Sequence, residues 1–395
     1  MLGVSFTGRV TSMTHQASKR CQTPFSPFFN EYDSLPGGLN TFLKTPATEA
    51  HRLLGGKSAL IRLFNDASND GHKEAPLSEP LFVSVLQHGN EITGWLALQK
   101  LFRDGFESAQ PKRPLWIWVG NVSAAAEGLR QLPGQPDYNR LWAAPDSAPN
   151  QFGRLYPFTF EEKMACALLE RLRGTKFFAG IDIHNTSGKN PHYGCLNQLD
   201  PQFFFLASLF NKNVIYFTKP HEVLCNQLSV MMPAITLECG QPGTEAGVSK
   251  AAEVVRDLLT RETFPEHEVT QSELNIYRSF ARIVIDESAN VSFDPMFAED
   301  GLYNEDESSL IFDPAIDRWN LVAVPEGTCL GRGRDPLQIR VLDEENRDVT
   351  SKVLLLKDGK IFAVGDWVPA MFTTTPSIAK SDCLGYVMER YVPEN

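Results

Sequence analysis

The sequence predicts an α/β fold with a largely parallel sheet, followed by a small β domain at the carboxyl end of the chain. Three observations support this prediction. Apolar, β-rich runs recur between residues 81 and 238 and lead into clusters of polar side chains. Amphipathic helical patterns lie between these runs. After about residue 288 the helical patterns give way to short β-rich runs separated by turn signals.

The first buried strand is predicted over residues 81–86, which are nearly all apolar. Such a run is expected for a parallel strand that is covered on both faces, and it leads directly to His88. The apolar residues that follow have roughly helical spacing and predict a helix: Ile92, Trp95, Leu96, Leu98 and Leu101.

Three further strands are predicted over residues 115–119, 177–183 and 234–237. The first leads into the loop that carries Asn139 and Arg140, the second ends at His184, and the third ends at Glu238. In open α/β sheets, ligands bind outside the carboxyl ends of the strands. We therefore expect these polar residues to converge on one rim of the sheet.

The remaining elements follow from local signals. Residues 159–162 form a capping-box pattern that begins a helix, and Gly174 marks its end. A second helix is predicted over residues 247–264. Residues 120–159 are rich in Pro, Gly and Ala, and a loop of that length is expected to form part of a pocket wall. Residues 353–364, with Asp-Gly at the centre, predict a hairpin.

The residue types at the rim indicate metal-assisted hydrolysis. His88, Glu91 and His184 supply two imidazoles and one carboxylate, which suit a catalytic zinc ion that keeps one position open for water. A single carboxylate nearby can accept a proton from water and return it to the departing amine, and Glu238 is the candidate for this general base and acid.

Other polar residues suggest how a substrate and the ligands are held. Arg140 can bind a substrate carboxylate through two hydrogen bonds, and Asn139 can add a donor. A structural ion pair between Arg140 and Asp137 is the alternative. Asp182 shares a strand face with His184 and is expected to orient that ligand from behind. A second metal ion held by Asp182 and Asp137 is conceivable, but nothing in the spacing requires it.

These motifs resemble those of the zinc carboxypeptidase clan, specifically its succinylglutamate desuccinylase and aspartoacylase family. The resemblance covers roughly residues 50–285 and rests on His-Gly-Asn-Glu at residues 88–91, Asp-Tyr-Asn-Arg at 137–140, Asp-Ile-His-Asn-Thr at 182–186, and Glu238. It implies an α/β/α sandwich around a mixed sheet. It also implies a carboxyl-terminal β domain that leans over the zinc cleft and excludes long peptides.

The resemblance implies the same site residues. The zinc ligands of the family correspond to His88, Glu91 and His184, its general base to Glu238, and its carboxylate-binding pair to Asn139 and Arg140. The aspartoacylases also carry an Arg-Tyr pair shortly before their Asn-Arg motif, and this chain departs from that pattern. Arg130 is the candidate for the oxyanion-stabilising and substrate-binding arginine, with a solvated surface residue as the alternative.

The predicted organisation has three parts: an amino-terminal extension over residues 1–48, a zinc carboxypeptidase-like catalytic domain over 49–288, and a β-rich domain over 289–395. The acidic residues between 299 and 307 are expected to form a solvated loop, with gating of anions as the alternative.

Composition limits the classes of partner. The net charge of −11 and the lack of a basic stripe argue against nucleic acid, and no apolar run is long enough to span a membrane. Seven dispersed cysteines and the lack of a signal-peptide core predict reduced thiols in the cytoplasm. The sequence contains no signal for an oligomeric state.

Three functions are compatible with these features. The favoured hypothesis is a deacylase, with one Zn²⁺ per chain, that hydrolyses the amide bond of a small anionic N-acyl amino acid. The alternative within the same chemistry is a metallocarboxypeptidase that acts on short peptides. A third hypothesis is a zinc-binding protein without turnover, which loss of Glu238 would have favoured. The identities of the acyl group and the amine are not predicted.

Overall fold

The structure is a computed structural model that describes residues 26–64, 79–106, 111–142, 159–265, 269–298 and 309–391. The acidic loop predicted between residues 299 and 307 lies outside the described residues, as do the first 25 residues of the predicted amino-terminal extension.

A twelve-stranded mixed sheet forms the centre of the described structure. Its strands lie in the spatial order β1 (Asn30–Tyr32), β2 (Ala59–Leu63), β4 (Leu115–Val119), β3 (Leu81–Val85), β5 (Ala179–His184), β8 (Ala234–Glu238), β6 (Tyr193–Leu196), β7 (Asn213–Tyr216), β9 (Asn275–Ile285), β17 (Gly385–Arg390) and β16 (Val368–Ala370), while β13 (Ile339–Asp343) also pairs with β9. The central strands β4, β3, β5 and β8 are mutually parallel. The predicted α/β fold with a mixed, largely parallel sheet is confirmed.

The helices cover the sheet. They are α1 (Leu39–Lys44), α2 (Ala50–Leu53), α3 (Thr93–Arg103), α4 (Val122–Glu127), α5 (Phe160–Arg173), α6 (Pro201–Phe210), α7 (Leu224–Met231), α8 (Glu245–Thr260), α9 (Thr350–Val353) and α10 (Pro376–Ser381). Residues of α3, α6 and α8 share one apolar core with the sheet, and residues of α5 and α7 share another. The central strands are therefore buried between two helical layers, and this explains why β3 and β4 are buried along their whole length and are nearly all apolar.

Two helices test the local predictions. The capping box at the start of α5 is formed, because the Thr159 hydroxyl accepts from the Glu162 backbone and the Glu162 carboxylate accepts from the Thr159 backbone. The end predicted for α8 was wrong, because this helix ends at Thr260 and not near residue 264. Pro265 disfavours helical conformation at the preceding residue and makes an earlier end favourable.

The carboxyl-terminal region contributes to two sheets. A five-stranded sheet contains β10 (Asn290–Phe293), β11 (Ser309–Phe312), β12 (Cys329–Arg332), β15 (Lys360–Ala363) and β14 (Leu354–Lys357), in that spatial order. The predicted hairpin is confirmed, since β14 and β15 pair around Asp358 and Gly359, both at positive φ. Strands β13, β16 and β17 extend the central sheet instead. Residues beyond 288 are thus joined to the central sheet by backbone pairing.

Across the described ranges, none of the helices combines the length and apolar character that a membrane-spanning helix requires. The cysteines at 166, 195, 225, 239, 329 and 383 are free thiols.

Candidate metal centre and cleft

The carboxyl ends of three neighbouring strands carry the polar residues of the candidate site. His184 is the last residue of β5 and Glu238 is the last residue of β8, and the parallel register pairs them directly. His88 follows the end of β3, the strand on the other side of β5. Because neighbouring positions in register point to the same face, the site is assembled on one rim of the sheet.

The turn after β3 depends on Gly89. A Cβ atom at this position would lie 2.2 Å from the backbone nitrogen of Ala125 in α4, so only glycine fits there. The Gly89 amide also donates to the carbonyl of Arg130, at 3.0 Å. This contact joins the His-Gly-Asn-Glu turn to the segment that follows α4, and it brings His88 and Arg130 to the same side of the cleft.

His88, Glu91 and His184 form a buried cluster whose possible ligand atoms lie within 4.8 Å of one another. The two oxygens of Glu91 face the Nδ1 atoms of the two histidines, each at 2.8 Å. The Glu91 Oε2 atom also accepts from the backbone amide of Asn185, at 3.1 Å. Two imidazoles and one carboxylate are thus directed at a common point, which is the donor set of a catalytic zinc site.

Each histidine contacts a second carboxylate through the ring nitrogen that faces away from Glu91. The Nε2 atom of His88 lies 3.0 Å from Asp137 Oδ1, and the Nε2 atom of His184 lies 3.0 Å from Asp182 Oδ2. A carboxylate at Nε2 holds the proton there and leaves Nδ1 free to bind a metal ion. This arrangement fits zinc, and it places Asp182 where the sequence predicted it.

The charges of the cluster also suit a cation. Burial opposes ionisation of Glu91, yet the adjacent His88 and His184 hold the pKa of its carboxyl well below the usual range. Burial likewise opposes a charge on His184, but Asp182 and Glu91 raise the pKa of this imidazole well above its ordinary value. Carboxylates therefore dominate the surroundings of both rings, and a divalent cation would offset their charge.

Replacing Asp182 with asparagine is expected to weaken zinc binding by about ten- to a hundredfold, because the amide holds the Nε2 proton of His184 less firmly. Zinc affinity measured by competition with a chromophoric chelator checks this expectation. Asp104→Asn is the matched control, because Asp104 lies exposed after α3 and pairs with Lys100 and Arg256. Equal zinc affinity of Asp182→Asn and the wild type would contradict the role given to Asp182.

Glu238 is buried beside the cluster, and its Oε2 atom has no hydrogen-bond partner among the described residues. The pKa of Glu238 is raised to about 8, mainly by burial and also by the nearby Glu91 and Asp182, while His184 and Arg130 oppose the shift. A carboxyl group with this pKa exchanges protons near neutral pH. The lone oxygen faces a cleft and is therefore available to a water molecule or substrate.

Arg130 pairs with Asp137 and lines the cleft. Its Nη2 atom lies 2.9 Å from Asp137 Oδ2, and its Nη1 atom lies 3.6 Å from Glu91 Oε1. The predicted alternative, an ion pair between Arg140 and Asp137, was wrong because Arg130 takes Asp137 instead. With 34% of its side chain exposed, Arg130 is half-buried and does not match the alternative of a solvated surface residue.

Asn139 and Arg140 line the same cleft on a turn anchored by aromatic side chains. Tyr138 and Trp142 pack in the core on the α5 side, and the Trp142 indole donates to the Tyr138 carbonyl at 2.6 Å. The Asn139 Oδ1 atom accepts from the Leu224 amide at 3.1 Å, which leaves its NH₂ group available to a ligand. The Arg140 guanidinium donates to the carbonyl of Asn139 and makes no ion pair with any described residue.

The cleft encloses about 190 Å³. The structure adds residues that the sequence did not predict for it, from strands β6, β7 and β17 and from the carboxyl-terminal region: Cys195, Ile215, Phe217, Met371, Asp382, Cys383, Tyr386 and Met388. No motif marks them, because they are mostly apolar side chains from strands far apart in the sequence. The contact of Asp137 with His88 could have been predicted from the sequence, since each histidine ligand requires a partner for its second nitrogen.

Comparison with known families assigns this region of the chain. Residues 80–262 match the sequence model of the succinylglutamate desuccinylase/aspartoacylase catalytic domain. This stretch belongs to that family. The desuccinylase/aspartoacylase domain contains every residue predicted for the site, from His88 to Glu238. The family is one of hydrolases. The matched residues run from β3 to the end of α8.

Solved structures resemble the chain in fold. The structure of succinylglutamate desuccinylase from Chromobacterium violaceum is 15% identical, covers 81% of this chain and 87% of its own, and superposes with a TM-score of 0.52. The succinylglutamate desuccinylase/aspartoacylase from Rhodobacter sphaeroides is 14% identical, covers 80% and 87%, and has a TM-score of 0.50. The search of curated proteins gives no significant match. The likeness therefore concerns the desuccinylase/aspartoacylase fold alone.

Proposed function

We propose that this protein is a zinc-dependent hydrolase that cleaves the amide bond of small N-acyl amino acids. The observation that carries the proposal is the convergence of His88, Glu91 and His184 on one point, with the buried carboxyl of Glu238 beside them. The membership of residues 80–262 in the desuccinylase/aspartoacylase family supports the same class of reaction.

The residues present fit a single zinc ion. His88 and His184 would bind it through Nδ1 and Glu91 through a carboxylate oxygen, while Asp137 and Asp182 fix the two imidazoles. A bound zinc ion supplies positive charge that polarises a carbonyl group and acidifies water. These ligands come from two neighbouring strand ends, so the backbone positions them before any substrate binds.

Glu238 is the proposed general base and acid. Its carboxylate accepts a proton from the attacking water, and the same carboxyl then donates a proton to the amine nitrogen as the amide bond breaks. Burial places the pKa of Glu238 at about 8, within the range in which both transfers are possible near neutral pH. The positive charge of a bound cation would lower this pKa and favour the base form before attack.

Arg140 and Asn139 are the proposed carboxylate-binding pair, and Arg130 is the proposed donor to the carbonyl oxygen. Arg140 faces the cleft without an ion-pair partner in the described residues, so its guanidinium is available for an anion. Arg130 lines the cleft with its Nη1 atom 3.6 Å from Glu91 Oε1, so its positive charge would stabilise negative charge that develops on a carbonyl oxygen bound at the cluster.

Replacing Arg140 with glutamine is expected to raise KM by about ten- to a hundredfold with a smaller change in kcat, because a charged hydrogen bond to the substrate carboxylate is lost. Steady-state kinetics measures both quantities. Arg173→Gln is the matched control, since Arg173 is exposed on α5 and pairs with Glu170. A fall in kcat at constant KM would assign Arg140 to the chemical step instead.

The proposed function is tested by incubating the zinc-loaded protein with N-acetyl amino acids, N-succinyl amino acids and short peptides. We expect free amine to appear from the small acyl amino acids, and chelation to abolish its release. Release of carboxyl-terminal residues from peptides would support the metallocarboxypeptidase. If no amine and no amino acid is released from any of these compounds, the result would favour a zinc-binding protein without turnover.

A further inference from the structure

One side of the cleft is an apolar wall, defined as Cys195, Ile215, Phe217, Met371 and Met388. Cys195 and Ile215 are paired neighbours on β6 and β7, and both pack with Met388 of β17 in one buried cluster. Phe217 and Met371 are half-buried and pack against that cluster. The wall is thus continuous and comes from both the catalytic region and the carboxyl-terminal strands.

The wall and the proposed carboxylate-binding pair line the same cleft and are connected by a short segment of the chain. The Asn139 side chain accepts from the Leu224 amide, and Val223 immediately before it lines the same cleft. Phe217 directly follows β7 and begins the short segment that ends at Val223. A substrate whose carboxylate binds Arg140 would therefore share one cleft with both the apolar wall and Glu238.

The charges in the cleft match a substrate with one carboxylate. Arg130 is engaged by Asp137 and Glu91, and Lys219 at the outer edge is paired with Glu345 at 3.1 Å. Arg140 is left as the lining guanidinium that no carboxylate of the described residues pairs with. Asp382 adds a negative charge to the rim. A second substrate carboxylate placed against the apolar wall would lose its hydration without a charged partner in that wall.

We propose that the apolar wall binds the side chain of the amino acid whose carboxylate Arg140 holds, so that the preferred substrates are N-acyl amino acids with an apolar side chain. This inference rests on the proposed function for the orientation of the substrate. A substrate with a second carboxylate would be bound better by a cleft that offered a second unpaired cation. Burial of an apolar side chain on the wall supplies the selectivity.

The test compares three ligands of similar side-chain shape: N-acetyl-leucine, N-acetyl-asparagine and N-acetyl-aspartate. Their binding to the zinc-loaded Glu238→Gln variant is measured by titration calorimetry. We expect N-acetyl-leucine to bind at least about tenfold more tightly than either of the others. Equal or tighter binding of N-acetyl-aspartate, or no binding of N-acetyl-leucine, would overturn the inference.

Turnover by the zinc-loaded wild type separates this inference from the proposed function. If N-acetyl-leucine binds selectively but no leucine is released, the apolar subsite stands and the hydrolytic function fails. If aspartate is released from N-acetyl-aspartate faster than leucine from N-acetyl-leucine, the hydrolytic function stands and the apolar subsite fails.

A substitution in the wall provides a second test. Phe217→Arg adds a cation beside the bound side chain and is expected to reverse the preference toward N-acetyl-aspartate, whereas Phe217→Leu preserves the preference for N-acetyl-leucine. Melting curves verify that both variants fold. If Phe217→Arg does not fold, Met371→Lys introduces the cation at another half-buried position of the wall. An unchanged preference in a folded cationic variant would count against the wall as the side-chain site.

Discussion

The Glu238→Gln variant is expected to bind zinc normally and to lose turnover by about 10²- to 10⁴-fold. Glutamine preserves the shape of the side chain but cannot accept and return a proton, so the chemical step loses its general base and acid. Glu238 is buried beside the cluster but is not one of the three predicted ligands, and the cluster of His88, Glu91 and His184 is complete without it. The measurements are kcat for an N-acyl amino acid and zinc content by atomic spectrometry.

A glutamate on the far side of the helical layer is the control for this variant. Glu253 is exposed on α8, where it pairs with Lys250, and Glu253→Gln should match the wild type in both measurements. A Glu238→Gln variant with near-normal turnover would show that another group carries the proton. Loss of zinc from the same variant would make Glu238 a ligand and not a base.

The His184→Ala variant is expected to lose both zinc and activity. Removal of one of three ligands leaves a single imidazole and one carboxylate, and it leaves Glu91 and Asp182 without the group that separates their charges. We expect zinc affinity to fall by more than about a hundredfold, beyond the loss expected from Asp182→Asn. Zinc content after gel filtration and the change in melting temperature on adding a chelator measure the effect.

The melting experiment compares the effect of a chelator on the wild type with its effect on His184→Ala. A chelator should lower the melting temperature of the wild type, because a metal ion bound only to the folded state stabilises it, and should leave His184→Ala unchanged. His51→Ala on α2 is the matched control and should behave as the wild type, since His51 contacts the Thr48 carbonyl and takes no part in the cluster. Full zinc content in His184→Ala would remove this histidine from the proposed ligand set.

Much of the fold follows from local patterns in the chain. Strands β3, β4, β5 and β8 are buried along their whole length and are mostly apolar, and burial of strands on both faces is the physical cause of such runs. Polar residues at the ends of these strands stand out for the same reason. The register that places His184 beside Glu238 could therefore be expected from the sequence, because parallel strands in one sheet end at one rim.

The ion-pair partners within the site were harder to predict from the sequence. The choice of Asp137 between Arg130 and Arg140 depends on the Gly89 turn, which binds the Arg130 carbonyl and turns that segment toward the cleft. Six residues lie between Arg130 and Asp137, and a loop of that length has many conformations of similar local energy. Contacts with α4 and the core select one of them.

The sequence by itself determined the α/β class, the zinc-type donor set and the candidate base, because buried strands and the polar residues at their ends are local patterns. Only the tertiary structure decided what else reaches the cleft. The apolar wall joins Cys195 and Ile215 to Met388, nearly two hundred residues later, through the pairing of β6, β7, β9 and β17. Apolar side chains from distant strands carry no motif, and only packing of the folded chain brings them together.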